Sequence, residues 1–148
     1  MNVHVAVTDV EIDACYPAMQ ELRPHLRRED FVDVVCDLQR DGYTLAYLSA
    51  AETVLGVAGF RIQRALYCDK FLYVDDLVVV AAERSKGYGK VLLAWLEERA
   101  QAEGCAQVHL SSGIQRHDAH RFYQKNGMMI SGYRFRSELN RRVPWSRR

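Results

Sequence analysis

The chain has 148 residues, 49% of them apolar and 26% charged, with a net charge of +1. That length suits one domain with a core large enough to stand without metal or disulfide support, and the ordinary apolar and charged fractions argue against disorder. Four arginines fall in the last nine residues, NRRVPWSRR, so residues 1–139 carry 16 basic against 19 acidic side chains and are mildly acidic, which argues against nucleic-acid binding through a broad basic face.

Val3 to Val7 alternates with polar neighbours as a first strand does. Thr8 or Asp9 caps a helix carrying Ile12, Tyr16, Met19 and Leu22, which Pro24 ends. A second helix is expected over Glu29 to Arg40, closed by Asp41-Gly42. Tyr43–Ala50 and Thr53–Gln63 read as a hairpin about Ala51-Glu52, followed by a largely buried strand from Phe71 to Val80. Tyr88, Val91, Leu92, Trp95, Leu96 and Ala100 recur at helical spacing and predict a helix from Gly87 to Glu103, with Gly104 as its left-handed cap. Gln107–Ser112 reads as a short strand, and Asp118 as the cap of a helix over Ala119 to Asn126. Met128–Leu139 reads as a terminal strand. The order β-α-α-β-β-β-α-β-α-β predicts one α/β domain with a mixed sheet flanked by helices, over residues 1–139, and a basic tail over 140–148. The Phe71–Ser112 crossover is expected to be parallel and right-handed.

Between the buried strand and the following helix lies Arg84-Ser85-Lys86-Gly87-Tyr88-Gly89-Lys90. Two glycines among cations at a helix start describe an anion cradle: free N–H groups point outward, the dipole favours negative charge, and glycine admits close approach to the main chain. It is not a Walker A loop, because residue 84 is Arg and Val91 follows Lys90 where a hydroxyl is needed. Nor is it a dinucleotide fingerprint, since Leu92 stands where a third small residue belongs.

The spacing Arg84-x-x-Gly87-x-Gly89, the preceding Asp76-Leu77-Val78-Val79, and Ala119-His120-Arg121-Phe122-Tyr123-Gln124-Lys125-Asn126-Gly127-Met128 together resemble the GNAT superfamily of acetyl-CoA-dependent N-acetyltransferases. The resemblance runs from Asn2 to Leu139. It implies the acyl-CoA N-acyltransferase fold and acetyl-CoA as cosubstrate. It also implies that the main chain of Leu77, Val78 and Val79 binds the pantetheine arm, while Arg84, Ser85, Lys86, Gly87, Tyr88, Gly89 and Lys90 wrap the pyrophosphate. It makes Tyr123 the general acid, with Val108–Ser111 splayed away to leave a slot for the thioester. Arg116 replaces the family's common Asn; it reaches a phosphate or the substrate, or is a solvated loop arginine.

Acetyl transfer to an amine needs a neutral amine, a polarised carbonyl and a proton for the departing thiolate. An alkylammonium of pKa about 10.4 must lose its proton to a base or to a desolvating site. A tyrosine of pKa about 10 is a feasible donor to a thiolate of pKa near 8.5. For Tyr123 the alternative role is a core tyrosine beside Phe122. Asp75 and Asp76 are adjacent in an apolar strand, where consecutive residues face opposite sides. Asp75, expected on the face of Leu77 and Val79, is the first candidate base and Asp76 the second; a salt-bridged role and a water relay are the alternatives. Ser111 stands where relatives often carry an acid. His117 and His120, three residues apart, lack the further ligands a zinc site needs, and no metal is expected.

Cys15, Cys36, Cys68 and Cys105 include no C-x-x-C pair, and no signal-like or membrane-spanning stretch precedes them. Reduced thiols in a cytoplasmic protein are expected. The expected acceptor is a small-molecule amine, with a protein N-terminus or lysine, or a non-catalytic CoA-sensing role, as alternatives; neither nucleic acid nor membrane is an expected partner. GNAT domains usually end in two strands and only Met128–Leu139 precedes the tail. Either a bend at Ser131-Gly132 makes two short strands or the last strand comes from a partner, so a homodimer is possible.

Overall fold

The structure, a computed structural model, describes residues 1–140 and Trp145. The elements run β1 (Asn2–Val5), α1 (Asp9–Ala14), α2 (Tyr16–Leu22), α3 (Arg28–Arg40), β2 (Tyr43–Ala50), β3 (Thr53–Ala65), β4 (Asp69–Val79), a 3-10 turn (Ala81–Glu83), α4 (Tyr88–Ala102), β5 (Gln107–Leu110) and α5 (His117–Lys125). The five strands lie in sequence order in one sheet. β1 to β4 are antiparallel to their neighbours and β5 is parallel to β4, as the α4 crossover requires. The architecture is the expected mixed sheet flanked by helices.

Two apolar layers hold it together. On one face Ile12, Cys15, Met19, Phe31 and Val35 from α1–α3 pack on Tyr43, Leu45, Val57 and Val78. On the other, Leu92, Leu96 and Ala100 of α4 pack on Leu48, Phe60, Leu72 and Val74. The buried face of α4 includes Leu93 rather than Val91, which is 41% exposed.

The first helix is two. Thr8 caps α1 in a reciprocal box with Glu11, but Pro17 at the start of α2 lacks the N–H that would bond back to Asp13, and the helix restarts after Cys15. The last helix begins earlier than expected. Arg116 is its N-cap, and Asp118 sits in the first turn paired with Arg121 rather than capping.

The expected strand over Met128–Leu139 is absent. Residues 128–140 belong to no helix or strand: alternation alone does not make a strand where no neighbouring main chain among the described residues pairs with it. Of the expected basic tail, residues 141–144 and 146–148 lie outside the described residues.

Candidate active site

β4 and β5 pair from Phe71–Gln107 to Val74–Leu110 and then part. Beyond that point the sheet opens into a cavity of about 440 Å³, lined among others by Glu21, Arg23, Asp75, Leu77, Arg84, Ser111, Arg116 and Tyr123. The divergence exposes main chain. Val80 donates its N–H to the Leu55 carbonyl on the β3 side. Alternation along the strand then turns the main-chain groups of Val79 and Leu77 toward the opening. Val78 differs from its neighbours: it lies opposite Val57 in register, so its main chain faces β3 and it offers the cavity only its side chain.

Asp75 is the extra residue of a β-bulge, since Gly59 pairs with Asp76 and Phe60 with Val74. The bulge overturns the expectation that the two carboxylates face opposite sides, with Asp75 beside Leu77 and Val79. Leu77 and Val79 pack toward α4, whereas both aspartates gather near Tyr43 and two arginines. Asp76 accepts from the Tyr43 hydroxyl at 2.7 Å and from Arg23 Nε at 2.9 Å. Tyr43 is held neutral there: burial, then the Asp76 charge, pushes its pKa well up. Gly59 is required beside it, because a Cβ at that position would stand 1.8 Å from the Tyr43 oxygen. Asp76 is thus tied up in a structural network that pins the end of α2 to β4.

Asp75 is freer. It accepts from Arg61 Nε at 3.2 Å, while Arg23 donates to its backbone carbonyl. Burial raises its pKa above the usual aspartate value, with Arg61 opposing and the Asp76 charge adding to the rise. A half-buried carboxylate with a raised pKa on a cavity wall has the properties of a proton acceptor.

Tyr123 faces the cavity from α5, its pKa raised by burial and lowered somewhat by the Arg116 charge. Arg116 has no side-chain hydrogen bond or ion pair among the described residues. Ser111, on the opposite lip, shares a 2.8 Å hydrogen bond with the Tyr73 hydroxyl.

The basic loop wraps the N-terminus of α4. Ser85 (φ 66°) and Gly87 (φ 87°) both take left-handed conformations and turn the main chain sharply. Val91 N–H, which bonds the Gly87 carbonyl, is the first amide of the helix to find an acceptor. The N–H groups of Ser85, Lys86, Gly87, Tyr88, Gly89 and Lys90 donate to no protein acceptor among the described residues. That run of donors at a helix N-terminus fits a pyrophosphate. The cations contribute unequally. Lys86 is paired with Glu83 at 2.7 Å, and Arg84 is drawn back onto the Val79 carbonyl at 3.2 Å and toward Glu21. Lys90 has no such partner among the described residues. Arg84 lines the cavity, whereas residues 85–90 lie outside it, so the loop and the reaction space are adjoining regions.

Sequence reasoning missed Arg23 and Glu21. Arg23 closes α2 onto both aspartates, and Glu21 accepts from Ala81 N–H at 2.8 Å. Their signal is only that two charged residues flank the end of an amphipathic helix. Among the described residues no cluster of three or more His, Cys, Asp or Glu is placed to hold a metal, and the His120 ring sits 2.8 Å from the Gly113 carbonyl.

A model of the acetyltransferase (GNAT) family matches residues 11–128, from α1 to the end of the Tyr123 segment. The chain belongs to the GNAT acetyltransferase family. This GNAT protein is 39% identical over 126 residues to the uncharacterized N-acetyltransferase YhdJ of Bacillus subtilis, covering 84% of this chain and 89% of that one. It is 37% identical over 87 residues to the aminoalkylphosphonate N-acetyltransferase of Salmonella typhimurium, 58% of this chain and 56% of the relative. In fold it matches a transcriptional regulator from Bacillus halodurans with a TM-score of 0.81 at 21% identity, over 93% of this chain and all of that one. No helix among the described residues is long and apolar enough to cross a membrane.

Proposed function

We propose that this GNAT protein transfers the acetyl group of acetyl-CoA to the primary amine of a small molecule, by direct attack within a ternary complex. The observation that carries the proposal is the adjacency of two features. The unsatisfied amides of Ser85–Lys90 begin where Arg84 leaves the cavity, and that cavity is shared by Asp75 and Tyr123.

In this reading the amides of Ser85 to Lys90 bind the pyrophosphate, with Lys86, Lys90 and Arg84 adding charge. The main-chain groups of Leu77 and Val79 hold the pantetheine arm, and the Val78 side chain bounds it. The acetyl thioester supplies an activated carbonyl at the divergence of β4 and β5. Val79 N–H polarises that carbonyl as a fixed dipole. Asp75 takes the proton of the acceptor ammonium, and Tyr123 gives its hydroxyl proton to the departing thiolate. Its raised pKa keeps Tyr123 protonated at neutral pH. Arg116 adds a cation to the coenzyme side of the cavity.

A cavity of about 440 Å³ has room for a small amine. Aminoalkylphosphonates, the class named for the Salmonella relative, belong in the first panel of acceptors. Four free cysteines fit a reducing compartment, and we place the protein in the cytoplasm. The test is steady-state release of free thiol from acetyl-CoA across an amine panel. Saturable coenzyme binding without turnover on any amine overturns the enzymatic reading in favour of a sensor. Turnover only on peptide or protein amines replaces the small-molecule acceptor.

A further inference from the structure

Arg116 occupies a costly place. It is the N-cap of α5, where a short oxygen-bearing side chain is favoured because it accepts from the helix amides, and its own side chain makes no capping bond. A cation there also meets the positive end of the helix dipole. Nothing nearby offsets this: Asp118 in the first turn is paired with Arg121, and Arg116 has no side-chain hydrogen bond or ion pair among the described residues. Its guanidinium lines the cavity instead. The other cations of that wall are committed. Arg23 bonds Asp76 and the Asp75 carbonyl, and Arg84 bonds the Val79 carbonyl and approaches Glu21.

Tyr123 lies two helical turns beyond Arg116 on the same face of α5, about 10 Å along the axis. Helical side chains lean toward the N-terminus, so the tyrosine ring points back along that face toward the arginine. Both line the same cavity, and the Tyr123 hydroxyl has no hydrogen-bond partner among the described residues. Burial raises the Tyr123 pKa, and Arg116 is the charge that opposes the rise. The other titratable groups around this space have partners of their own. Glu21 of α2 accepts from Ala81 N–H, Asp75 of β4 accepts from Arg61, and the His120 ring on α5 sits against the Gly113 carbonyl. Lys90, beside the Gly89–Phe122 contact at the start of α4, is exposed.

We propose, resting on the transfer reaction above, that Arg116 is a positioning residue for its acid step: the guanidinium stabilises the tyrosinate left when Tyr123 protonates the departing thiolate. Collapse of the tetrahedral intermediate breaks the C–S bond, the electron pair stays on sulfur, and the Tyr123 hydroxyl proton moves to it. The tyrosinate regains a proton as the new amide nitrogen sheds its surplus one. Without a counter-charge that anion forms in a half-buried site, where an unpaired charge is costly. A cation on the same helix face makes Tyr123 a better acid toward the sulfur, while burial keeps it protonated at neutral pH. The arginine then serves the hydroxyl rather than a phosphate of the coenzyme.

The test is the titration of Tyr123, followed by carbon NMR in protein labelled at tyrosine Cζ, alongside the pH profile of turnover. The Tyr123 resonance is identified by its loss in Tyr123→Phe. Arg116→Met is expected to raise the Tyr123 pKa, and Arg116→Lys to keep it close to the parent value. Activity is lost as pH rises through the Tyr123 pKa, so Arg116→Met should move the basic limb of kcat to higher pH. It should also lower kcat on the order of 10-fold, short of the about 10²–10⁴ that a positioned acid contributes. Arg116→Lys should restore most of that loss, with the dissociation constant for CoA unchanged in both variants. An unmoved Tyr123 resonance in Arg116→Met overturns the proposal. So does weaker CoA binding or a raised acceptor KM at unchanged kcat, which gives Arg116 to a phosphate or to the acceptor. The resonance needs no substrate, so it separates the two claims. Absence of turnover on every amine overturns the transfer reaction, whereas an unmoved resonance with turnover intact overturns only the role of Arg116.

Discussion

The Phe122 ring fills the space a side chain at Gly89 would occupy, its Cζ 3.2 Å from the position of a Cβ there. The second glycine of the anion loop therefore serves packing: it lets α5 close on the start of α4. Gly87 does a different job, holding a left-handed turn with open space around it. Through the Gly89–Phe122 contact, the segment proposed to hold the coenzyme and the helix that carries Tyr123 share one boundary.

The two glycines should separate in kinetics. Gly89→Val pushes on Phe122 and displaces Tyr123, and turnover should fall on the order of 10- to 100-fold, as small misplacements of reacting groups do. Gly87→Ala meets no neighbour but pays about 1–2 kcal/mol for a left-handed backbone, and should raise the KM for acetyl-CoA with a smaller effect on kcat. Equal effects on both constants from both variants would sever the link between Gly89 and Tyr123.

Tyr123→Phe removes only the hydroxyl. Turnover should drop by about 10²–10⁴ while the dissociation constant for CoA, read by calorimetry, stays nearly unchanged. Unchanged turnover would take Tyr123 out of the mechanism.

The acid limb of the pH profile should report Asp75. A protonated Asp75 cannot take the ammonium proton, so activity is lost as pH falls through its pKa. Burial has raised that pKa and the Arg61 charge restrains it. Arg61→Met removes the restraint and should move the acid limb of kcat/KM to higher pH with the same acceptor. A limb that stays put or moves down would exclude Asp75 as the base.

Tyr43→Phe removes a 2.7 Å donor from Asp76, whose side chain is 13% exposed. A hydrogen bond to a charged group contributes about 1.5–3 kcal/mol. Arg23, 41% exposed, still neutralises the carboxylate, so the low end of that range is expected in denaturant titration. Activity per folded molecule should be kept. A large loss of turnover at full stability would mean that Asp76, rather than Asp75, takes part in the chemistry.

Local patterns were legible where one physical rule acts alone. Tyr43–Ala50 was readable to its ends because apolar alternation and the Ala51-Glu52 turn agree. The left-handed Gly104 follows from backbone preference in the same way, whereas side-chain preference narrows the first cap to Thr8 or Asp9 and the Glu11 box selects Thr8. The apolar spacing from Ile12 to Leu22 reads as one helix, and the break comes from Pro17, which that spacing does not register. The bulge at Asp75 has no local mark, since it arises from how β3 and β4 register, and it reassigned both aspartates. Met128–Leu139 has the period of a strand, yet the pattern cannot say whose sheet receives it. Arg23 and Glu21 escaped notice because their partners lie more than 50 residues away.

The claim that binds these features is that the chain is an acetyl-CoA-dependent transferase acting on small amines. The most direct measurement is thiol release from acetyl-CoA with a panel of small primary amines, aminoalkylphosphonates included, alongside Tyr123→Phe. The account predicts saturable release with at least one amine, lost by about 10²-fold or more in the variant. Tight coenzyme binding with no thiol release above background for any amine would contradict it.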